Sequence, residues 1–158
     1  MRAGLAAWAY IVEAVAACLL YFLTSIALGP FGFFEKFQLM AKEWTVVAGL
    51  LTAGSVGGFW AYFSQTQGEF GSWLRWKTAD RTYTTGFAYP IFVHLATLCT
   101  LIMLQSSPSP ILTRVGYGLG LYAILCTLTQ VTNAVSYIQL RNAFAEEWSR
   151  HNEGHGSS

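Results

Sequence analysis

The chain is 158 residues long, 54% hydrophobic and 16% aromatic, with only 11% charged residues and a net charge of +1. Soluble domains carry roughly 25% charged residues, so this is the composition of a single-domain membrane protein with no stretch left to build a separate soluble core. Nine Lys and Arg against eight Asp and Glu give neither a basic face for nucleic acid nor a field that would steer a charged substrate.

The first apolar segment covers residues 5–28, enough to cross a hydrocarbon core, which takes about 20 residues of helix. Val15, Ala16, Ala17 and Cys18 superficially resemble a lipoprotein cleavage box. The apolar run nevertheless continues through Leu19, Leu20, Tyr21, Phe22 and Leu23, and Glu13 interrupts what would be the hydrophobic region of a signal, so a retained helix is expected. Glu13 is the only carboxylate inside any of the apolar segments. A charge held in lipid costs free energy that must be recovered elsewhere, which makes this residue the strongest functional pointer in the chain.

Residues 29–42 place Phe33, Phe34, Phe37, Met40 and Ala41 at spacings of three and four, with Glu35, Lys36 and Gln38 between them. That pattern predicts a short helix lying along the outer membrane interface. The second span, residues 44–63, holds no ionisable group other than tyrosine, which excludes the charged outer stripe of a soluble bundle. It carries a ladder of small residues, Gly49, Ala53, Gly57 and Ala61, with Gly54 and Gly58 beside it. In lipid, close backbone approach through small residues is a principal source of helix packing energy. The second helix is therefore expected to be the most tightly packed, within the chain or between copies.

Residues 65–84 mix Trp73, Trp76 and Tyr83 with Arg75, Lys77, Asp80 and Arg81, the composition of a cytoplasmic interfacial segment near anionic headgroups. The third span covers residues 87–104. After it, Ser106, Ser107, Pro108, Ser109 and Pro110 break the helix and predict a hairpin. The fourth span, residues 111–140, runs about 30 residues or roughly 45 Å, longer than the hydrocarbon core of about 30 Å. It is expected to project toward Trp148, with Gly116 and Gly120 as packing positions near its start. Residues 1–150 thus form one transmembrane domain, and residues 151–158 read as a disordered polar tail.

With both termini inside, Arg2, Arg75, Lys77, Arg81, Arg141 and Arg150 face the cytoplasm, against Lys36, Lys42 and Arg114 outside. Six against three favours cytoplasmic termini under the positive-inside rule. Trp8, Trp60, Trp73 and Trp76 then anchor the inner interface and Trp44 the outer one.

Counted from the cytoplasmic boundary, Glu13, Ser55, His94, Gln130 and Asn133 all lie roughly 10 to 15 Å deep at helical rise. Cys126, Gln130, Asn133 and Tyr137 recur at spacings of four, three and four, so they share one stripe of the fourth helix. Glu13 facing His94, with Gln130 or Asn133 completing the hydrogen bonds and Tyr137 extending the wall, is the expected inner site. A protonated Glu13 that merely holds helices together accounts for the same residues.

Other chemistries lack their residues. Cys18, Cys99 and Cys126 lie in three different spans with no Cys-x-x-Cys pair, against a thiol redox enzyme or a zinc site. Only His94 lies within a span, against bis-histidine haem, and His151 and His155 are followed by glycines that disfavour an ordered metal site. Gly116, Gly118 and Gly120 lack the lysine and strand context of a phosphate loop. The expectation is an all-α integral membrane protein of four helices in an antiparallel bundle. It would act as an oligomeric or complex-forming module, with membrane lipids, copies of itself or other membrane subunits as partners and a cation or proton pathway around Glu13 and His94. The alternative is a membrane enzyme or carrier that binds a lipid or other apolar molecule between the helices. No metal or cofactor is expected beyond bound lipid.

Overall fold

A computed structural model describes residues 3–155. Arg2 and the last three residues of the tail lie outside the described residues, as do the side chains of Ala6, Trp8, Ala9, Phe33, Arg150, His151 and His155. The described residues form six helices and no strand: α1 (Ala3–Leu28), α2 (Pro30–Leu39), α3 (Ala41–Gln65), α4 (Glu69–Trp76), α5 (Asp80–Ser106) and α6 (Pro110–His155). Four of them, α1, α3, α5 and α6, are long and apolar enough to cross a membrane.

Local sequence explains the breaks. Gly29 has φ +72°, a left-handed conformation that glycine adopts without strain, and Pro30 opens α2 where its missing N–H is harmless. Gly68 repeats the device before α4 at φ +101°. Ser107 caps α5 in a non-helical conformation, and Pro110 starts α6. The last helix, 46 residues long, spans about 70 Å at helical rise. It runs through Trp148 to His155.

Three cores stack along the long helices. At one end Phe37, Ala41, Ala48, Leu101, Leu104 and Tyr117 bring α2 onto α3, α5 and α6. Val93, Ala123 and Cys126 fill the middle. At the other end Tyr62, Phe70, Leu74, Phe87 and Tyr137 seat α4 against the same three long helices. Arg114 lies 5.4 Å from the Phe34 ring and ties α6 to α2.

The small-residue ladder of α3 departs from expectation. The residues of α3 that the chain buries are Ala41, Ala48, Ser55 and Tyr62, one every seventh position. At 100° per residue the ladder centres about 180° from that seam. Accordingly Ala53, Gly54, Gly57 and Ala61 are exposed, and a Cβ placed at Gly49, Gly54 or Gly57 would meet nothing within 4 Å. Gly58 alone is used inside the chain, with the Gln130 amide 3.4 Å from its Cβ position. Gly116 packs against Thr100, Leu101 and Phe37, whereas Gly120 faces open space.

Helix α4 returns tightly on the turn before it. A Cβ at Gly71 would overlap the carbonyl oxygen of Thr66. Gly71→Ala should therefore cost about 1–3 kcal/mol through overpacking, with red-shifted tryptophan emission as Trp73 loosens. Gly120→Ala, in open space, should leave the denaturation midpoint unchanged.

Candidate functional site

The centre of the bundle is polar. Ser55 of α3 lies 2.7 Å from Nδ1 of His94 on α5 and 2.6 Å from Oε1 of Gln130 on α6. The Gln130 amide also reaches the Ser55 carbonyl at 3.4 Å. The second imidazole nitrogen, Nε2, faces the Ala123 carbonyl and the Thr127 hydroxyl, each at 3.1 Å. His94 is 0% exposed, and Ser55 and Gln130 are buried with it.

Ser55 has one hydroxyl hydrogen, and Gln130 Oε1 can only accept it, so the hydrogen shared with His94 belongs to Nδ1. The Thr127 hydroxyl that faces Nε2 also donates to the Ala123 carbonyl at 2.8 Å. Three helices are joined by one network in which every member has a partner.

Glu13 belongs to a different set. Its side chain is 8% exposed; Oε2 accepts from the Cys126 thiol at 3.3 Å, while Oε1 is buried with no hydrogen-bond partner among the described residues. The expected Glu13–His94 pairing is thus not made, because both imidazole nitrogens are committed to Ser55 and to α6. Asn133 stands apart as well: its amide nitrogen lies 2.8 Å from where a Cβ on Gly86 would be, so the absence of a side chain at Gly86 gives it room. Tyr137 is no part of the polar wall. Its ring packs against Tyr62, Phe70 and Tyr83 at 5.1 to 5.7 Å between centroids, and its hydroxyl is buried with no hydrogen-bond partner among the described residues.

Three tyrosines, Tyr10, Tyr89 and Tyr122, cluster with one another. Tyr10 and Tyr122 lie close enough to feel the charge of Glu13. Tyr10 stacks on Tyr89 with centroids 4.1 Å apart, and the Tyr89 and Tyr122 hydroxyls bond to each other. The Tyr10 hydroxyl donates to the Thr85 carbonyl at 3.3 Å. Helical spacing was the available signal: Tyr10 precedes Glu13 by three residues, and Tyr122 precedes Cys126 by four.

The residues assigned to a lipid interface cluster on and beside α4. Lys77 Nζ lies 4.3 Å from the Trp76 ring centroid and 5.5 Å from that of Trp73. Arg75 donates to Ser72 at 3.2 Å, and Arg81 is exposed at the start of α5. Trp73 turns inward onto Phe70 and Phe144, whereas Trp76 is 72% exposed. Comparison with protein-family models, with characterised proteins and with solved structures gave no match.

Proposed function

We propose that this protein is an integral membrane module that associates with further copies of itself through the outward face of α3. The observation that carries the reading is the division of that helix into two sides. A seven-residue seam is used within the chain, and a four-residue ladder of Gly and Ala is left uncovered between the exposed large side chains Leu50 and Trp60. Small residues flanked by bulky ones form a groove into which the ridge of another helix fits, the geometry that drives association where lipid supplies no hydrophobic gain.

The bundle is antiparallel in this reading. Thr97 bonds the Leu119 carbonyl, His94 faces Ala123, and Gly86 lies against Asn133, so contacts descend along α5 as they ascend along α6. Both termini are cytoplasmic under the charge distribution, with α2 lying along the opposite interface. The Ser55–His94–Gln130 network fastens α3, α5 and α6 so that the outer groove keeps its shape. A cation or proton pathway between Glu13 and His94 would need a donor chain linking them, and the bonds of His94 run instead to Ser55, Ala123 and Thr127.

Detergent-corrected mass tests the assembly. The wild type should exceed the 17.4 kDa of a single chain, and Gly57→Leu should weaken association about ten-fold by filling the groove. Because a Cβ at Gly57 meets nothing in its own chain, the variant should unfold at the wild-type midpoint. A monomer at high concentration with no copurifying membrane subunit overturns the reading.

A further inference from the structure

Helix α4 joins the end of α3 at Gln65 to the start of α5 at Asp80, and so lies where two spans leave the hydrocarbon. Between it and the far turns of α6 is a pocket of about 580 Å³, whose lining includes Glu69, Ser72, Arg75, Trp76, Phe144 and Trp148. That volume is within the range of small-molecule sites, about 300–1,000 Å³. The frame is fixed from its buried side: Leu74 is fully enclosed, and the rings of Phe70 and Trp73 both lie 5.3 Å from that of Phe144.

The lining carries both signs of charge. Arg75 gives one N–H to the Ser72 hydroxyl at 3.2 Å, and no ion pair joins it to Glu69 among the described residues. A guanidinium has five N–H donors, so most of the Arg75 fork remains for an acceptor, while Glu69 offers two oxygens to a donor. Six residues separate the two on one helix, a rise of about 9 Å. Beside these charges stand the indole rings of Trp76 and Trp148, both exposed and both suited to a membrane interface. A ligand that satisfies the whole lining carries a cation, an anion and an apolar body. The basic residues of this segment on their own point to anionic headgroups, but an anion alone would meet the Glu69 carboxylate as well as the guanidinium.

We propose that the α4–α6 pocket binds a zwitterionic phospholipid with a primary amine, of the phosphatidylethanolamine class. Its ammonium N–H donates to Glu69, its phosphate accepts from Arg75, and its glycerol and acyl chains lie against Trp76 and Trp148. Phosphatidylcholine carries the same two charges, but its quaternary nitrogen has no N–H to give to Glu69. Phosphatidylglycerol keeps the phosphate and lacks the cation. Soluble glycerophosphoethanolamine keeps both charges and lacks the chains. The site uses α4 and α6, and so stands or falls separately from association through α3.

These three lipids with identical acyl chains, and the soluble headgroup, are the probes; retention of one-to-one adducts by the purified full chain in native mass spectrometry is the readout. Wild type should retain the ethanolamine lipid about three- to five-fold better than the choline or glycerol lipid, the size of effect expected for one exposed ion pair. It should not retain the soluble headgroup. Glu69→Gln should abolish the preference for ethanolamine over glycerol, a ratio that a loss of folded protein does not move. Arg75→Gln should lower retention of all three lipids. Both side chains are exposed, so both variants should unfold at the wild-type midpoint. Failure of wild type to retain the ethanolamine lipid, any other order of preference, a preference unchanged by Glu69→Gln, undiminished retention by Arg75→Gln, or retention of the soluble headgroup overturns the assignment.

Discussion

The His94→Ala chain should be about 2–4 kcal/mol less stable than wild type, the combined cost of a cavity at a fully buried position and of interhelical hydrogen bonds worth roughly 0.6 kcal/mol each in a membrane. Unfolding by SDS followed through tryptophan emission measures it. The informative comparison is His94→Leu, which should cost only about 1 kcal/mol because the volume is kept. The bonded groups that His94 leaves behind have other partners: Ser55 donates to Gln130, and the Thr127 hydroxyl reaches the Ala123 carbonyl at 2.8 Å. Equal losses in the two variants would show that the imidazole holds the helices by its hydrogen bonds rather than by filling space.

Leu74→Ala should have an effect of similar size confined to one end of the molecule. Leu74 is 0% exposed between Phe70, Phe87, Tyr62 and Tyr137. Large-to-small changes at such positions cost about 2–5 kcal/mol, and here the loss should fall on the docking of α4. Expected readouts are a red shift of tryptophan emission and faster proteolysis between residues 65 and 80, with the polar centre around His94 intact. Trp76→Ala is the control. That ring is 72% exposed, and its removal should change stability by less than about 0.5 kcal/mol. A large loss at Trp76 with none at Leu74 would mean that α4 is held by its outer face.

The four long helices were legible because hydropathy over about 20 residues survives any uncertainty in packing. Hydropathy marks the third span as residues 87–104, while α5 begins at Asp80, since Thr82, Tyr83, Thr84 and Thr85 lower hydropathy without breaking a helix. Helix α4 was hidden for a related reason: eight residues fall below any spanning window. The spacing of Phe70, Trp73 and Leu74 was nevertheless the trace of its buried side. The inner site was legible in depth but not in pairing. Ser55, His94 and Gln130 meet as residues of matching height should. Height alone could not decide whether Glu13 would face the imidazole or the thiol of Cys126, because pairing depends on helix rotation, which a list of residues does not carry. The ladder on α3 illustrates the same limit. Gly and Ala at every fourth position mark a surface that admits a close neighbour without saying on which side of the chain boundary the neighbour stands.

The two sides of α3 repeat with different periods, and the periods carry opposite handedness. A seam that recurs every seven residues, as Ala41, Ala48, Ser55 and Tyr62 do, drifts so that its partner winds around it to the left, crossing near +20°. A ladder that recurs every four residues drifts the other way and seats a helix crossing to the right, near −40°. The faces of α3 are therefore not interchangeable: whatever helix lies in the outer groove must lean away from the direction that α5 takes. A helix shaped to replace α5 would not fit there, so under the proposed association the geometry would tell a folding contact from an assembling one without any difference in polarity.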